Sequence, residues 1–424
     1  LDTGSSDLWI PATSSSKCEA GKCDDGSFNY NQSSSYQLTK AGGFKITYAA
    51  PGDSDTGDWG TDTIKMGGTP SITNQTIGVV LNGYDQHGVM GIGYDLNEAP
   101  GPQGFNSPYP SVLDQMKTQG IIDRRAYSLY LNEYSANTGA IIFGGIDTTK
   151  YTGELVSLPL QLSPDYRIQE FYVTLTSVSV TDGLGAVTQL TRSDFAQAAL
   201  LDSGTSATLI NNEIFQGLTT GFGAVEWADY GVSVVPCDFR NSNATINYQF
   251  GGAGGPTITV PVSQVVGDKY FDSTNFSDPS GGCDFGFGPP IQGAVILGDT
   301  FLRGAYAVFD IDNNQAAIAQ AAYGVSSSNV VAIPAGRDLP MVTSTATATG
   351  THLIGNDATS HYHPATYTFD GAQGTTVAAG SPTFNLGVSK VTAGVSSSGF
   401  AVGMPKPTQA AMLGAGLLMG VMVL

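Results

Sequence analysis

Short apolar runs, rich in Val, Ile, Thr, Tyr and Phe, recur along most of this chain and are bounded by Gly, Asn, Asp and Pro. GFKITYAA (43–50), GAIIFGG (139–145), EFYVTLTSVSV (170–180) and GAYAVFDIDNNQAAIAQ (304–320) are examples. Runs of this kind, with turn residues at their ends, predict strands joined by tight turns. Helical stretches are few and short: 111–119, and a second over 211–218. The expectation is a mostly β protein.

Near residue 324 the pattern changes. The chain becomes rich in Ser, Thr, Ala and Gly, as in MVTSTATATGT (341–351) and VTAGVSSSG (391–399). With so few large apolar side chains, burial does not offset chain entropy, and a disordered, O-glycosylated stalk is expected. His361-Tyr-His363 lies here; with no other ligand close in sequence, it reads as a surface coincidence rather than a metal site. The last stretch, AAMLGAGLLMGVMVL (410–424), carries no charge. As a helix it would reach roughly 22 Å, short of the ~30 Å hydrocarbon core. Small residues at Ser396, Ser397, Ser398 and Gly399, a spacer and then this tail match the order of a GPI attachment signal.

Composition narrows the function. The 424 residues include 17 Lys+Arg against 36 Asp+Glu, a formal charge of −19. Nucleic acid, which needs a basic face, is not an expected partner. Cys18, Cys23, Cys237 and Cys283 form a close pair and a distant pair. Two disulfides and an oxidising compartment are the natural reading. The four residues between Cys18 and Cys23 also fit a zinc spacing, but no His stands near any of the four cysteines. Sequons at Asn31, Asn74, Asn243 and Asn275 agree with a secreted glycoprotein.

The chemistry lies in an internal echo. Leu1-Asp2-Thr3-Gly4-Ser5-Ser6 returns as Leu201-Asp202-Ser203-Gly204-Thr205-Ser206. One such string is an ordinary turn; two copies, each led by an apolar residue, are not. Gly88-Val89-Met90-Gly91 follows the first copy and Val295-Ile296-Leu297-Gly298 the second. Each half thus predicts a strand, an acid loop, a long β stretch and an apolar pair ending in Gly. Two such halves about a pseudo-twofold axis would bring one acid from each to a central cleft.

In these motifs the chain resembles the pepsin-like aspartic proteases over residues 1 to about 323, and its tail resembles the GPI-anchored, yapsin-type fungal members. The resemblance implies a bilobal, mostly β fold: a first lobe over 1–150, a second over 151–323, a disordered stalk over 324–409 and an anchor signal over 410–424. It implies the pairings Cys18–Cys23 and Cys237–Cys283. It assigns the catalytic acids to Asp2 and Asp202. Ser5 and Thr205 become the hydroxyls on the outer carboxylate oxygens, Thr3 and Ser203 the pair that locks the loops, and Gly4, Gly204 and Ser206 part of the same loops. Tyr48 matches the family's flap tyrosine, with Trp9 as its indole partner, but Ala49-Ala50-Pro51 replaces the usual tight tip, so a longer hairpin is expected.

From this follow an acid endopeptidase for protein or peptide substrates, no metal or cofactor, a monomer, and a secreted or surface location. Since only Leu1 precedes Asp2, the start is expected to lie inside a longer protein with a leader, a propeptide and a supporting strand upstream. Two alternatives are a catalytically silent binder on this fold, against which both intact acid motifs argue, and a structural cell-wall glycoprotein, which the tail suggests but which does not explain the duplicated acids. Asp53, Asp55 and Asp58 near the flap tip read either as a solvated acidic turn or as a preference for Lys or Arg in the substrate.

Overall fold

The computed structural model describes residues 1–347, apart from 24, 49–53, 68, 84–86, 105–107, 137, 164–165, 228–231, 253, 272–274 and 292, together with the backbone of 366–367 and residues 380–387. Strands dominate, as the apolar runs predict. The two predicted helices are present as Val112–Thr118, where Ser111 and Asp114 form a capping box, and Asn212–Phe222, capped by the Asn211 side chain.

Each half builds its acid loop on a sheet. In the first half, strands run in the order Gln37–Thr47, Ser54–Ile64, Ile72–Gly83, Leu8–Pro11, Val89–Met90. In the second half the order is Thr257–Pro261, Thr245–Phe250, Tyr172–Thr181, Gln197–Leu201, Val295–Leu297, Thr208–Leu209, Phe287–Gly288. The repeated apolar-Gly segments have one job in both. Asp2 bridges in parallel to Gly91, and Gln197–Leu201, which leads into Asp202, pairs in parallel with Val295–Leu297. The residue that ends each segment lies against an acid loop: a Cβ on Gly91 would stand 2.5 Å from the Asp7 amide, and one on Gly298 2.1 Å from the Thr205 carbonyl.

A six-stranded sheet joins the halves, in the order Val342–Thr345, Tyr151–Pro159, Gln315–Ala321, Ala305–Asp310, Ala126–Tyr130, Ala140–Phe143. A boundary at residue 150 therefore passes beside a sheet that both halves share. Over it an aromatic cluster supports the centre of the molecule. Phe171 meets Tyr94 at 5.0 Å and Phe309 at 4.7 Å between ring centroids, and Phe309 stacks on Tyr127 at 5.1 Å. The Tyr127 hydroxyl donates to the Ile92 carbonyl at 2.9 Å, and the Phe171 carbonyl accepts from the Leu201 amide at 3.2 Å. One core thus fixes the chain beside both acids.

The expectation of a disordered stalk from 324 is corrected at several places. Val330–Ala332 pairs with Gly145–Asp147, and Val342–Thr345 adds in parallel to Tyr151–Pro159. Asp147 accepts from the Ser328 hydroxyl at 2.7 Å and the Asn329 amide at 2.9 Å. Arg124, 2% exposed, faces Asp310 and donates to the carbonyls of Gly336 at 2.6 Å and Asp338 at 3.2 Å. Composition hid this, because a few spaced apolar residues (Ile333, Leu339 and Ala346, all buried) combine with backbone hydrogen bonds to hold the segment. The anchor candidates Ser396, Ser397, Ser398 and Gly399, the stretch 410–424 and His361 and His363 lie outside the described residues.

Both expected disulfides form. Cys18 and Cys23 join with S–S 2.06 Å, Cys237 and Cys283 with 2.02 Å. No cysteine is left over for a metal, and the described residues contain no cluster of metal-ligating side chains. Asn31, Asn74 and Asn243 are exposed, and Asn275 is half-buried.

Candidate active site

The two acid loops meet at the centre. Asp2 is fixed by backbone on both flanks: its amide donates to the Met90 carbonyl at 3.0 Å, and its carbonyl accepts from Ile92 at 2.8 Å. The Asp202 amide donates to Leu297 at 3.2 Å. Each carboxylate is then held from its own loop in the same way. The Gly4 amide donates to Asp2 Oδ1 and the Gly204 amide to Asp202 Oδ1, both at 2.8 Å. The Ser5 hydroxyl donates to Asp2 Oδ2, and the Thr205 hydroxyl to Asp202 Oδ2 at 2.6 Å.

Thr3 and Ser203 cross between the loops. The Thr3 amide donates to Ser203 Oγ at 3.2 Å and the Ser203 amide to Thr3 Oγ1 at 3.0 Å. Each hydroxyl also donates onward, Thr3 to the Leu201 carbonyl at 2.8 Å and Ser203 to the Leu1 carbonyl at 3.1 Å. The missing methyl at Ser203 leaves this lock intact. Ser206 contributes its carbonyl, which accepts from the Thr300 amide at 3.1 Å.

The crossing presses each glycine against the opposite acid. A Cβ on Gly4 would stand 2.6 Å from Asp202 Oδ1, and one on Gly204 2.4 Å from Asp2 Oδ1. Only glycine leaves room for the approach. The two carboxyl groups are within hydrogen-bonding range of each other and both are buried. Burial first, and the Asp2 charge second, push Asp202 well above the ordinary carboxylate range. A buried pair in contact cannot ionise twice easily, so it shares a proton. Pepsin-type dyads are the standard example of this effect.

Two paired strands carry Tyr48 beside Trp9. Gln37–Thr47 and Ser54–Ile64 pair as far as Thr47 opposite Ser54, and the expected longer tip over 49–51 lies outside the described residues. Tyr48 closes toward Trp9, whose indole N–H donates to the tyrosine hydroxyl at 2.7 Å. Trp9, Phe44, Trp59 and Tyr109 form the buried base of this hairpin.

Of the three flap acids, the two described ones do not share a face. Asp53 is outside the described residues. Asp55 points inward and is fully buried, whereas Asp58 lies on the opposite face of the strand and accepts from the Gly42 amide at 2.7 Å. Strand alternation separates residues 55 and 58, so Asp55 is not part of a solvated surface shared with Asp58.

Several residues near the site carry no signal in the sequence. Asn97 donates to the Gly4 carbonyl at 2.8 Å. Asp7 accepts from the Tyr109 hydroxyl and from the Ala99 amide at 2.9 Å, and burial raises its pKa. Glu98 accepts from the Tyr109 amide at 3.2 Å, while its Oε1 is buried without a partner; burial pushes this group up to about 8. Glu170 is a half-buried carboxyl raised by burial. Strand register runs Tyr172 opposite Leu200, and the Leu201–Phe171 hydrogen bond carries it one step on, which brings Glu170 level with Asp202.

A dyad built by paired D-[TS]-G-[ST] loops, cross-locked through Thr3 and Ser203, defines an aspartic peptidase. The chain belongs to the eukaryotic aspartyl protease family, whose model matches residues 1–321. It is 37% identical over 341 residues to the probable aspartic-type endopeptidase opsB of Aspergillus oryzae, covering 80% of this chain and 68% of that one. It is 34% identical to the acid protease of Saccharomycopsis fibuligera over 76% of this chain and 77% of that one. Candidapepsin-3 of Candida albicans is 34% identical over 78% of each chain. The chain is an aspartic-type endopeptidase, a hydrolase of peptide bonds in protein or peptide substrates.

Proposed function

We propose that Asp2 and Asp202 hydrolyse the peptide bond jointly, by activating one water molecule between them, at acid pH. The ionised member of the pair takes a proton from the water as its oxygen attacks the scissile carbonyl carbon. The protonated member donates a hydrogen bond to the carbonyl oxygen. A proton then passes from the carboxyls to the leaving nitrogen, and the C–N bond breaks. No covalent intermediate and no cofactor enter the scheme. The observation that carries it is the opposed pair of carboxyls, each held by its own glycine amide and hydroxyl. Tyr48 covers this pair and limits water. The test is hydrolysis of a denatured protein at ~pH 4, the range in which such a dyad holds one proton. Activity should be abolished by a statine-type inhibitor; inhibitor-insensitive cleavage would refute the assignment.

The same proposal places the enzyme outside the cell. Two disulfides, exposed sequons at Asn31, Asn74 and Asn243, and a relative named secreted aspartic protease 3 in Candida albicans support secretion. The small-residue stretch at 396–399 before an uncharged tail supports a GPI anchor, with a monomeric catalytic body. Among the described residues no helix is long and apolar enough to cross a membrane. Release of cell-bound enzyme by a phosphatidylinositol-specific phospholipase would support the anchor; retention would count against it.

A further inference from the structure

Residues 380–387, GSPTFNLG, lie on the second lobe, far along the chain from the last strand of the shared sheet. Their seat is the C-terminal end of the helix Asn212–Phe222 and the turn at Gly183. A helix end leaves carbonyls without intrahelical partners, and here the Gly221 carbonyl accepts from the amides of Thr383 at 2.9 Å and Phe384 at 3.0 Å. The Gly183 amide donates to the Asn385 carbonyl at 2.6 Å. The Ser242 hydroxyl donates to the Leu386 carbonyl at 2.7 Å. Phe384 packs edge-on against Phe222, 5.2 Å between centroids, and Leu386 is 5% exposed. These are the two large apolar residues of the segment, and both are used.

The groove is shaped for this occupant. A Cβ on Gly221 would stand 1.8 Å from the Phe384 ring, one on Gly223 2.6 Å from the Pro382 nitrogen, and one on Gly183 2.7 Å from the Leu386 carbonyl carbon. From the other side, a Cβ on Gly380 would stand 2.0 Å from the Gly223 carbonyl oxygen. Glycine occupies each place where the two backbones come closest, on both partners.

We propose that 380–387 is a docking strap that completes the second lobe. The strap sits at the end of the helix away from the Asp202 loop, so its role is to close the lobe rather than to touch substrate. It also changes the reach of the tail. From Gly387 to Ser396 there are nine positions, at most ~30 Å of extended chain. An anchor at 396–399 would then hold the catalytic body close to the surface. This last consequence rests on the anchor reading; the strap itself does not.

Amide hydrogen exchange on the full-length protein tests the strap without reference to activity. Thr383, Phe384 and Gly183 should exchange at least ~100-fold more slowly than in an unstructured peptide, as amides opened only by local unfolding do. In Phe384→Ala/Leu386→Ala, exchange at Gly183 should rise by a similar factor, while residues 1–12 keep their protection. If the double variant does not fold, Ser242→Ala replaces it, with Gly183 exchange expected to rise several-fold. Free-peptide exchange at Thr383 and Phe384 in the wild-type protein would overturn the proposal, and so would unchanged exchange at Gly183 in the variant.

Discussion

Thr3 and Ser203 exchange hydrogen bonds across the centre of the molecule, the amide of each donating to the hydroxyl of the other at 3.2 and 3.0 Å. The pair joins loops 200 residues apart and keeps each acid against the glycine of the opposite loop. Thr3→Val conserves shape but leaves the Ser203 amide and the Leu201 carbonyl without partners. Each unsatisfied buried group costs about 1–3 kcal/mol, so Thr3→Val should lose roughly 2–4 kcal/mol in urea unfolding. Its kcat should fall with it. Ser203→Thr, which keeps the hydroxyl, should be close to neutral in both measurements.

Tyr48 and Trp9 predict a subtler effect. Tyr48→Phe removes one hydrogen bond at the flap base and leaves the Trp9 indole N–H unpaired. Such a bond contributes about 1 kcal/mol, which corresponds to a roughly fivefold fall in kcat/KM if it acts in the closed state. Unfolding stability should change less. Steady-state kinetics beside a thermal melt separates the two effects.

Stability should decline toward neutral pH. Glu98 has an ordinary pKa of 4.5 and is pushed up to about 8 in the fold by burial. The native state therefore holds more protons than the unfolded one. Its contribution is fully present below about pH 4.5 and is lost as pH rises through about 8. Asp7, also raised by burial and hydrogen-bonded to Tyr109, acts in the same sense. The loop at risk carries Asn97 and Ala99, which contact Gly4 and Asp7. Glu98→Gln should flatten the decline, gaining about 1–3 kcal/mol at pH 7.5, because a neutral amide removes the cost of holding that carboxyl protonated in the fold while it ionises in the unfolded chain. Unfolding midpoints from pH 4 to 8 for both proteins provide the check.

Glu170 is a half-buried acid that strand register brings level with Asp202. The charges of both Glu170 and Asp202 act on Tyr172, and complementary charge in a cleft sets specificity. Glu170→Gln should lower kcat/KM about tenfold for peptides with Lys next to the cut, and leave matched norleucine peptides unchanged. Equal effects on both would assign Glu170 a structural role.

The legible part of this protein was the part that repeats. Duplicated acid loops, duplicated apolar-Gly segments and paired cysteines all follow from short strings whose chemistry is local, and the structure brings the two acid loops together and closes both cysteine pairs. Contacts made by residues distant in sequence were not legible. Nothing marks Glu98 or Tyr109 as neighbours of Asp7, because a loop excursion brings them there. Composition also misled after Gly324. A Ser/Thr/Ala-rich stretch reads as unpaired chain, yet edge pairing with Tyr151–Pro159 and the buried Arg124 hold it. The alternation along Ser54–Ile64 puts Asp55 and Asp58 on opposite faces, a separation that spacing alone already contains but composition conceals.

The most direct measurement is hydrolysis of a peptide substrate by the full-length protein at acid pH, with Asp2→Asn and Asp202→Asn beside the wild type. Because general acid–base groups contribute about 10²–10⁴-fold, each variant should lose at least ~10³-fold in kcat while its disulfides and melting profile persist. Wild-type rates in either folded variant would contradict a reaction driven by the two carboxyls.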